Sequence, residues 1–298
     1  MDFQYGKWPE SVKKADSCGW APEDRLIAGI DVGTTSTQAV VMAGEAVLGW
    51  ASIATGSDFE NAGARALELA LADSGLVPDM LELGATGWGA GHVAGAESFN
   101  EIDCHARGGR FLYGEDVHTV VDLGGQTVKA IRLYDWDRVR DVMIGDKCAS
   151  GMGRSIELFC DAMQIPICEI GSRSLDVSAE PEPVSTTCQV FARSEALGLF
   201  GRPEFRSEPL SENQVYASFL YAVAWRAVGV IGKLQPLDVG DVRVYEKLGL
   251  TGGVANNPGV TQRIARELKL ELPESRYDPI LAGAIGAALM VRSEQRRV

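Results

Sequence analysis

Apolar positions along the chain fall into two periods. Residues 26–32 (LIAGIDV) are a continuous apolar run with one acid, Asp31, near its end, and they read as a buried strand. The run enters a turn of glycine and hydroxyls, Gly33, Thr34, Thr35, Ser36 and Thr37. Residues 38–42 (QAVVM), a turn at Gly44 and residues 46–51 (AVLGWA) continue it as an antiparallel meander. The period then lengthens: residues 61–74 (NAGARALELALADS) repeat apolar positions at helical spacing and stop at Gly75 and Pro78.

The strand pattern recurs. Residues 118–123 (HTVVDL) are a second apolar strand with Asp122 near its end, Gly124, Gly125, Gln126 and Thr127 form its turn, and residues 128–133 (VKAIRL) return. The repetition suggests a duplicated half-domain, although two unrelated glycine hairpins would look the same. Helical periods follow at 151–163 and 189–200, each read as starting directly after a cysteine, and at 216–234, a long and nearly all-apolar stretch. A third glycine turn, residues 251–258 (TGGVANNP), precedes a helix, and residues 280–291 (ILAGAIGAALMV) form a small-residue helix suited to close packing.

Composition narrows the function. The chain has 298 residues, 46% of them apolar, which is enough to bury a large core. No apolar run is expected to reach the roughly 20 residues of a membrane helix, and the first 25 residues lack a signal-like apolar stretch, so a cytoplasmic protein without membrane partners is expected. A net charge of −13 opposes binding to nucleic acid. A bound polyphosphate must then be held locally, by backbone amides and a metal ion.

The glycine turns suit that task, because backbone without a Cβ can bring several N–H donors to one phosphate chain. Gly33, Thr34 and Thr35 would clamp it from one side and Gly124, Gly125 and Gln126 from the other, while Gly252, Gly253 and Asn256 would face the adenosine. Asp31 is placed to hold the water shell of Mg²⁺, and Asp122 with Gln126 to orient the attacking water, since phosphoryl transfer needs positioning and charge stabilisation. In this order and spacing, GIDVGTTST, DLGGQTVKAI and TGGVANNPGV resemble the two phosphate motifs and the adenosine motif shared by actin, sugar kinases and heat-shock chaperones. The resemblance implies an α/β, actin-like ATPase of duplicated ribonuclease H-like half-domains that binds ATP or ADP.

Six cysteines, at 18, 104, 148, 160, 168 and 188, lack the close pairing of a zinc site. Cys148 (DKCASGMGR) and Cys188 (STTCQVFARSE) each precede a helix, whose dipole and free N–H groups favour a thiolate. Two thiolates fall short of the four that a cubane cluster takes, so a partner would have to complete the site. These two segments, with ATGWGAGHV, NEIDCHA and GAIGAAL, resemble the ATPases that activate 2-hydroxyacyl-CoA dehydratases, a family shared with the ATPase subunits of ATP-dependent benzoyl-CoA reductase. The likeness runs over residues 26–289. It implies a [4Fe-4S] cluster shared with a second, homologous ATPase subunit, with Cys148 and Cys188 as this chain's ligands. It further implies a ferredoxin-like electron donor and separate substrate-reducing iron–sulfur subunits. Cys104 and His105 are read as structural.

Departures from the family pattern are Thr127, where a carboxylate is usual, Arg193 in place of an acid, and a leading segment with Trp8 and Trp20 that could dock a partner subunit. The expected organisation is an extension at 1–25, a half-domain at 26–112 with the helix at 277–298 packed back on it, and a half-domain at 113–276 carrying the cysteine segments. The leading expectation is an electron-delivering subunit of a benzoyl-CoA reductase. The alternatives are a homodimeric dehydratase activator and, from another class, an actin-like sugar kinase that would leave both cysteine segments unused.

Overall fold

A computed structural model of the chain describes residues 5–14, 25–72, 74–134, 138–145, 151–201, 210–234 and 247–294. Its strands are β1 (Ser11–Lys14), β2 (Leu26–Val32), β3 (Ser36–Ala43), β4 (Ala46–Ala54), β5 (Glu82–Thr86), β6 (Glu97–Ser98), β7 (Thr119–Leu123), β8 (Val128–Leu133), β9 (Val139–Ile144) and β10 (Leu248–Thr251). Its helices are α1 (Phe59–Leu71), α2 (Glu101–Tyr113), α3 (Gly153–Met163), α4 (Ile167–Arg173), α5 (Gln189–Gly201), α6 (Glu212–Ile231), α7 (Pro258–Leu268) and α8 (Ala282–Glu294). They fall into two compact units. Unit I comprises Pro9–Val120, Arg132–Arg140 and Glu274–Val298, and unit II comprises Met1–Trp8, Val121–Ile131 and Asp141–Pro273.

Unit I is built on a sheet of order β1-β4-β3-β2-β5-β6. The meander β2–β3–β4 is antiparallel and β5 runs parallel to β2. All seven residues of β2 are buried because both faces are covered. Leu26, Ala28, Ile30 and Val32 pack with Ala66 and Leu67 of α1, while Ile27 packs with Leu112 of α2 and Ala284 and Ile285 of α8. At two glycines, α8 lies directly on the strand backbone. A Cβ on Gly29 would lie 1.8 Å from the Ala284 carbonyl, and one on Gly84 2.5 Å from that of Ala287. Gly108 and Gly286 bring α2 and α8 equally close: a Cβ on Gly108 would lie 1.8 Å from Ala282 O, and one on Gly286 1.9 Å from Cys104 O.

Unit II has a sheet of order β10-β7-β8-β9 and one core formed by Val121, Leu123, Phe159, Phe219, Leu220 and their neighbours. The Phe159 and Phe219 rings stack at 4.2 Å. Helix α6 starts at a capping box, Ser211 with Gln214, and is buried along most of its length. One sequence expectation is corrected here: α6, at 20 residues, is long and apolar enough to cross a membrane, but 67% of its apolar window is buried within the protein.

The described part of the leading segment is not a bare linker. Tyr5 and Gly6 donate their N–H groups to Asp161 Oδ1 at 3.1 and 2.9 Å, and Trp8 packs on the unit II core. Ser11–Lys14 then adds an edge strand to β4 in unit I. Trp20 and Cys18 lie outside the described residues.

The same local plan occurs once in each unit. Gly33 N–H donates to Ser36 O at 3.1 Å after β2, and Gly124 N–H donates to Thr127 O at 3.0 Å after β7. Beside each turn stands a glycine with positive φ that follows a short strand: Gly87 (+86°) after β5 and Gly252 (+85°) after β10. A Cβ on Gly87 would lie 2.4 Å from Asp31 Oδ1, and one on Gly252 2.6 Å from Asp122 Oδ1. Each carboxylate is thus packed against backbone that only glycine can supply.

Candidate functional site

In unit I the turn after β2 carries Gly33, Thr34 and Thr35. Two of its carbonyls are held by Thr55, whose Oγ1 donates to Gly33 O at 2.8 Å and whose N–H donates to Thr35 O at 3.1 Å. Asp31 is 7% exposed, enclosed by Gly87 and by Gly283 of α8, whose Cβ would lie 2.0 Å from Asp31 Oδ2. His105 Nε2 lies 3.8 Å from the same oxygen and 4.0 Å from Glu101 Oε1. His105, expected to be structural only, therefore sits against the carboxylate expected to serve the metal. Its neighbour Cys104 is fully buried, and burial, with nearby Asp31 adding to it, pushes its thiol up to about 12 despite a bond to Thr86.

Unit II brings together the other two motifs expected to bind nucleotide. Asp122, 2% exposed, lies one residue before the end of β7 beside Gly252, where the third turn begins. Asn256 is exposed at the end of a short 3-10 turn, whereas Asn257 is spent on structure, its side chain accepting from Val260 N–H to cap α7. A residue that the sequence did not reveal completes this corner: Lys129 Nζ, on β8, donates to Asp122 Oδ2 at 2.8 Å. Lys129 is itself only 7% exposed. A lysine in a short, otherwise apolar strand was the available signal.

The turn after β7 is joined to α3. Gly153 N–H donates to Gly124 O at 3.2 Å and Arg154 N–H donates to Gly125 O at 2.9 Å. Gly151, at φ +42°, permits the approach, since a Cβ there would lie 2.2 Å from Gly125 O. In a planar trans peptide the carbonyl of one residue and the N–H of the next point in opposite directions. With the Gly124 and Gly125 carbonyls aimed at α3, the N–H groups of Gly125 and Gln126 point together to the other side, the arrangement that cradles an anion.

This corrects the expectation for the first cysteine helix. Helix α3 begins at Gly153, not directly after Cys148, and its first N–H groups serve the glycine turn. Cys148 itself lies outside the described residues. The second helix meets the expectation: α5 starts at Gln189, and Cys188, half-buried, receives the N–H groups of Phe191 and Val190. The Phe191 N–H is the largest influence lowering the thiol, burial opposes it, and the Val190 N–H and the Arg226 charge add to it. Arg226 Nη1 also donates to Thr187 O at 2.6 Å. A cavity of about 240 Å³ within unit II joins these parts, lined by Gln126, Gly151, Met152, Thr187, Arg226 and Lys233 among others. Gln189, whose carbonyl accepts from Ser155 of α3 at 3.5 Å, buries its side-chain amide without a partner among the described residues.

Two units on one plan, each ending a strand with a carboxylate beside a glycine turn, define a protein of actin-like ATPase fold. The chain belongs to the BadF/BadG/BcrA/BcrD ATPase family, whose family model matches residues 28–291. It is 35% identical to the activator of lactoyl-CoA dehydratase from Anaerotignum propionicum, covering 88% of this chain and 95% of that one. It is similar to the structure of the activator of 2-hydroxyisocaproyl-CoA dehydratase from Clostridium difficile with bound ADPNP, at a TM-score of 0.78 and 28% identity over 92% of this chain and 98% of that one. A benzoyl-CoA reductase subunit of Thauera aromatica is 28% identical over 74% of each chain.

Proposed function

We propose that this chain hydrolyses ATP to deliver low-potential electrons to a separate acyl-CoA enzyme, as a homodimeric activator of a 2-hydroxyacyl-CoA dehydratase. The arrangement of Cys188 carries the proposal. A thiol favoured as thiolate by two backbone N–H groups stands in the same unit as a glycine turn bonded to α3. That donor set suits a soft metal centre, and Cys188 with Cys148 would supply this chain's half of a [4Fe-4S] cluster, a second subunit supplying the rest. The cluster would provide one-electron chemistry; every few hundred millivolts of lift requires several kcal/mol, at about 1.4 kcal/mol per 59 mV.

The residues then divide the work. Gly33, Thr34 and Thr35 and the N–H groups of Gly125 and Gln126 hold phosphate, Gly252, Gly253 and Asn256 face adenosine, and Asp31 holds the water shell of Mg²⁺. Asp122 and Gln126 orient a water whose oxygen bonds to the γ-phosphorus as the bond to the bridging oxygen breaks. ADP leaves, and the water's proton passes to the released phosphate. Because Gly124 and Gly125 are bonded to α3, a shift of this turn would move α3, and the Gln189 amide, unpartnered among the described residues, would make the seam between α3 and α5 cheap to rearrange. Such coupling exists only if nucleotide binds the two arrangements differently.

The second reading is a benzoyl-CoA reductase component working with a non-identical ATPase subunit, a ferredoxin-like donor and substrate-reducing iron–sulfur subunits; the 28% likeness to the Thauera aromatica reductase favours it. Relatives matched over 95% of their length favour the activator. Anaerobic purification decides. Iron and acid-labile sulfide are expected in a homodimer with ATPase activity, and Cys148→Ala and Cys188→Ala lose them while Cys104→Ala keeps them. Iron unchanged in the first two variants overturns the cluster assignment, and a stable hetero-oligomer selects the second reading.

A further inference from the structure

We infer that Lys129 is a positioning residue for ATP hydrolysis, acting through its buried contact with Asp122 to fix the direction of that carboxylate. The inference rests on the role of Asp122 proposed above. The geometry is that of a locked group. Lys129 Nζ holds Asp122 Oδ2 at 2.8 Å, and the backbone of Gly252 occupies the flank of Oδ1, where even one Cβ would come within 2.6 Å.

Both partners are more than nine-tenths buried. Removing Lys129 takes an ammonium bonded at 2.8 Å away from a buried carboxylate, which raises the cost of its charge and frees its side chain to turn or take up a proton. A water-orienting group tolerates neither, because a displacement near 1 Å at a reacting centre costs roughly 10²-fold in rate. Lys129 also comes from β8, the strand that leaves the turn after β7, so one hairpin supplies the turn's N–H groups, the carboxylate and the cation that aims it.

The test is a double-variant cycle on the full-length protein, reading ATPase kcat, the KM for ATP and the thermal midpoint for wild type, Lys129→Met, Asp122→Asn and the combined variant. Lys129→Met and Asp122→Asn are each expected to lower kcat by roughly 10²-fold, with KM for ATP changed by less than about threefold. The combined variant is expected to be no slower than Asp122→Asn. The thermal midpoint is expected to fall in Lys129→Met and to recover in the combined variant, which leaves neither charge unpaired. A recovered midpoint with kcat still low separates positioning from mere support of the fold.

Wild-type kcat in Lys129→Met overturns the inference. A combined variant slowed by the product of the single effects also overturns it, by assigning Lys129 to the nucleotide itself. Wild-type kcat in Asp122→Asn removes instead the proposed role of Asp122. If Lys129→Met does not fold, comparing Asp122→Asn with the combined variant still decides: equal rates support action through Asp122, and a lower rate in the combined variant overturns it.

Discussion

Cys104, Cys160 and Cys188 carry one side chain in different surroundings. Burial raises the first two, Cys104 to about 12, while the start of α5 lowers Cys188. The thiolate is the reactive form. In cluster-free protein at neutral pH, Cys188 is therefore expected to alkylate with iodoacetamide at least roughly tenfold faster than Cys104 or Cys160, read by peptide mass spectrometry. Equal labelling would remove the electrostatic distinction between them. Glu157 behaves in the opposite sense: burial raises its carboxyl against the Arg154 guanidinium bonded to it at 2.7 Å. The folded state then binds this proton more tightly than the unfolded chain. The stability it adds is complete below the ordinary value of 4.5 and is lost as pH rises through the raised one. Thermal midpoints of wild type and Glu157→Gln, followed upward from that pH, are expected to diverge in favour of the variant; convergence would refute the sign.

Among the elements, those with a clean period were legible in the sequence. Strand β2, the turn after it, β3 and the first β4 residues follow the apolar pattern closely, as does the turn between β7 and β8. Helix α2 was hidden because Gly108 and Gly109 interrupt its pattern, and both glycines are there for contact, with the Ala282 carbonyl and with Val120. Strand β5 (ELGAT) was missed for the same reason, since Gly84 leaves room for α8. Strand β9 reads as charged, and α4 is only seven residues long. The candidate site was legible where backbone geometry repeats, at the two turns and Gly252; it was not where a side chain on another strand or helix completes a contact, as with Lys129 on β8 and His105 on α2. The close seat of α8 makes its own prediction. Gly29→Ala places a methyl group 1.8 Å from the Ala284 carbonyl and is expected to cost at least about 1–3 kcal/mol, measured by denaturant midpoint. Wild-type stability would mean that α8 does not lie on β2.

For the molecule as a whole, nucleotide affinity has to arise against a net charge of −13. Under the proposed function local backbone donors and Mg²⁺ carry the binding, so MgATP at about 100 times Kd is expected to raise unfolding stability by about 2.7 kcal/mol, read as a thermal shift. ATP with excess EDTA is expected to give much less, and equal shifts would exclude a metal contribution. The peptide groups after Gly124 and Gly125, proposed to hold phosphate, would have a use that extends beyond grip. Each offers its N–H on one side and lends its carbonyl to α3 on the other, so a phosphate oxygen on the first side polarises the bond on the second. Hydrogen–deuterium exchange at Gly153 and Arg154 is then expected to slow when nucleotide binds. The first turn of α3 would act as a clock, recording occupancy of the nucleotide site even where no atom has moved.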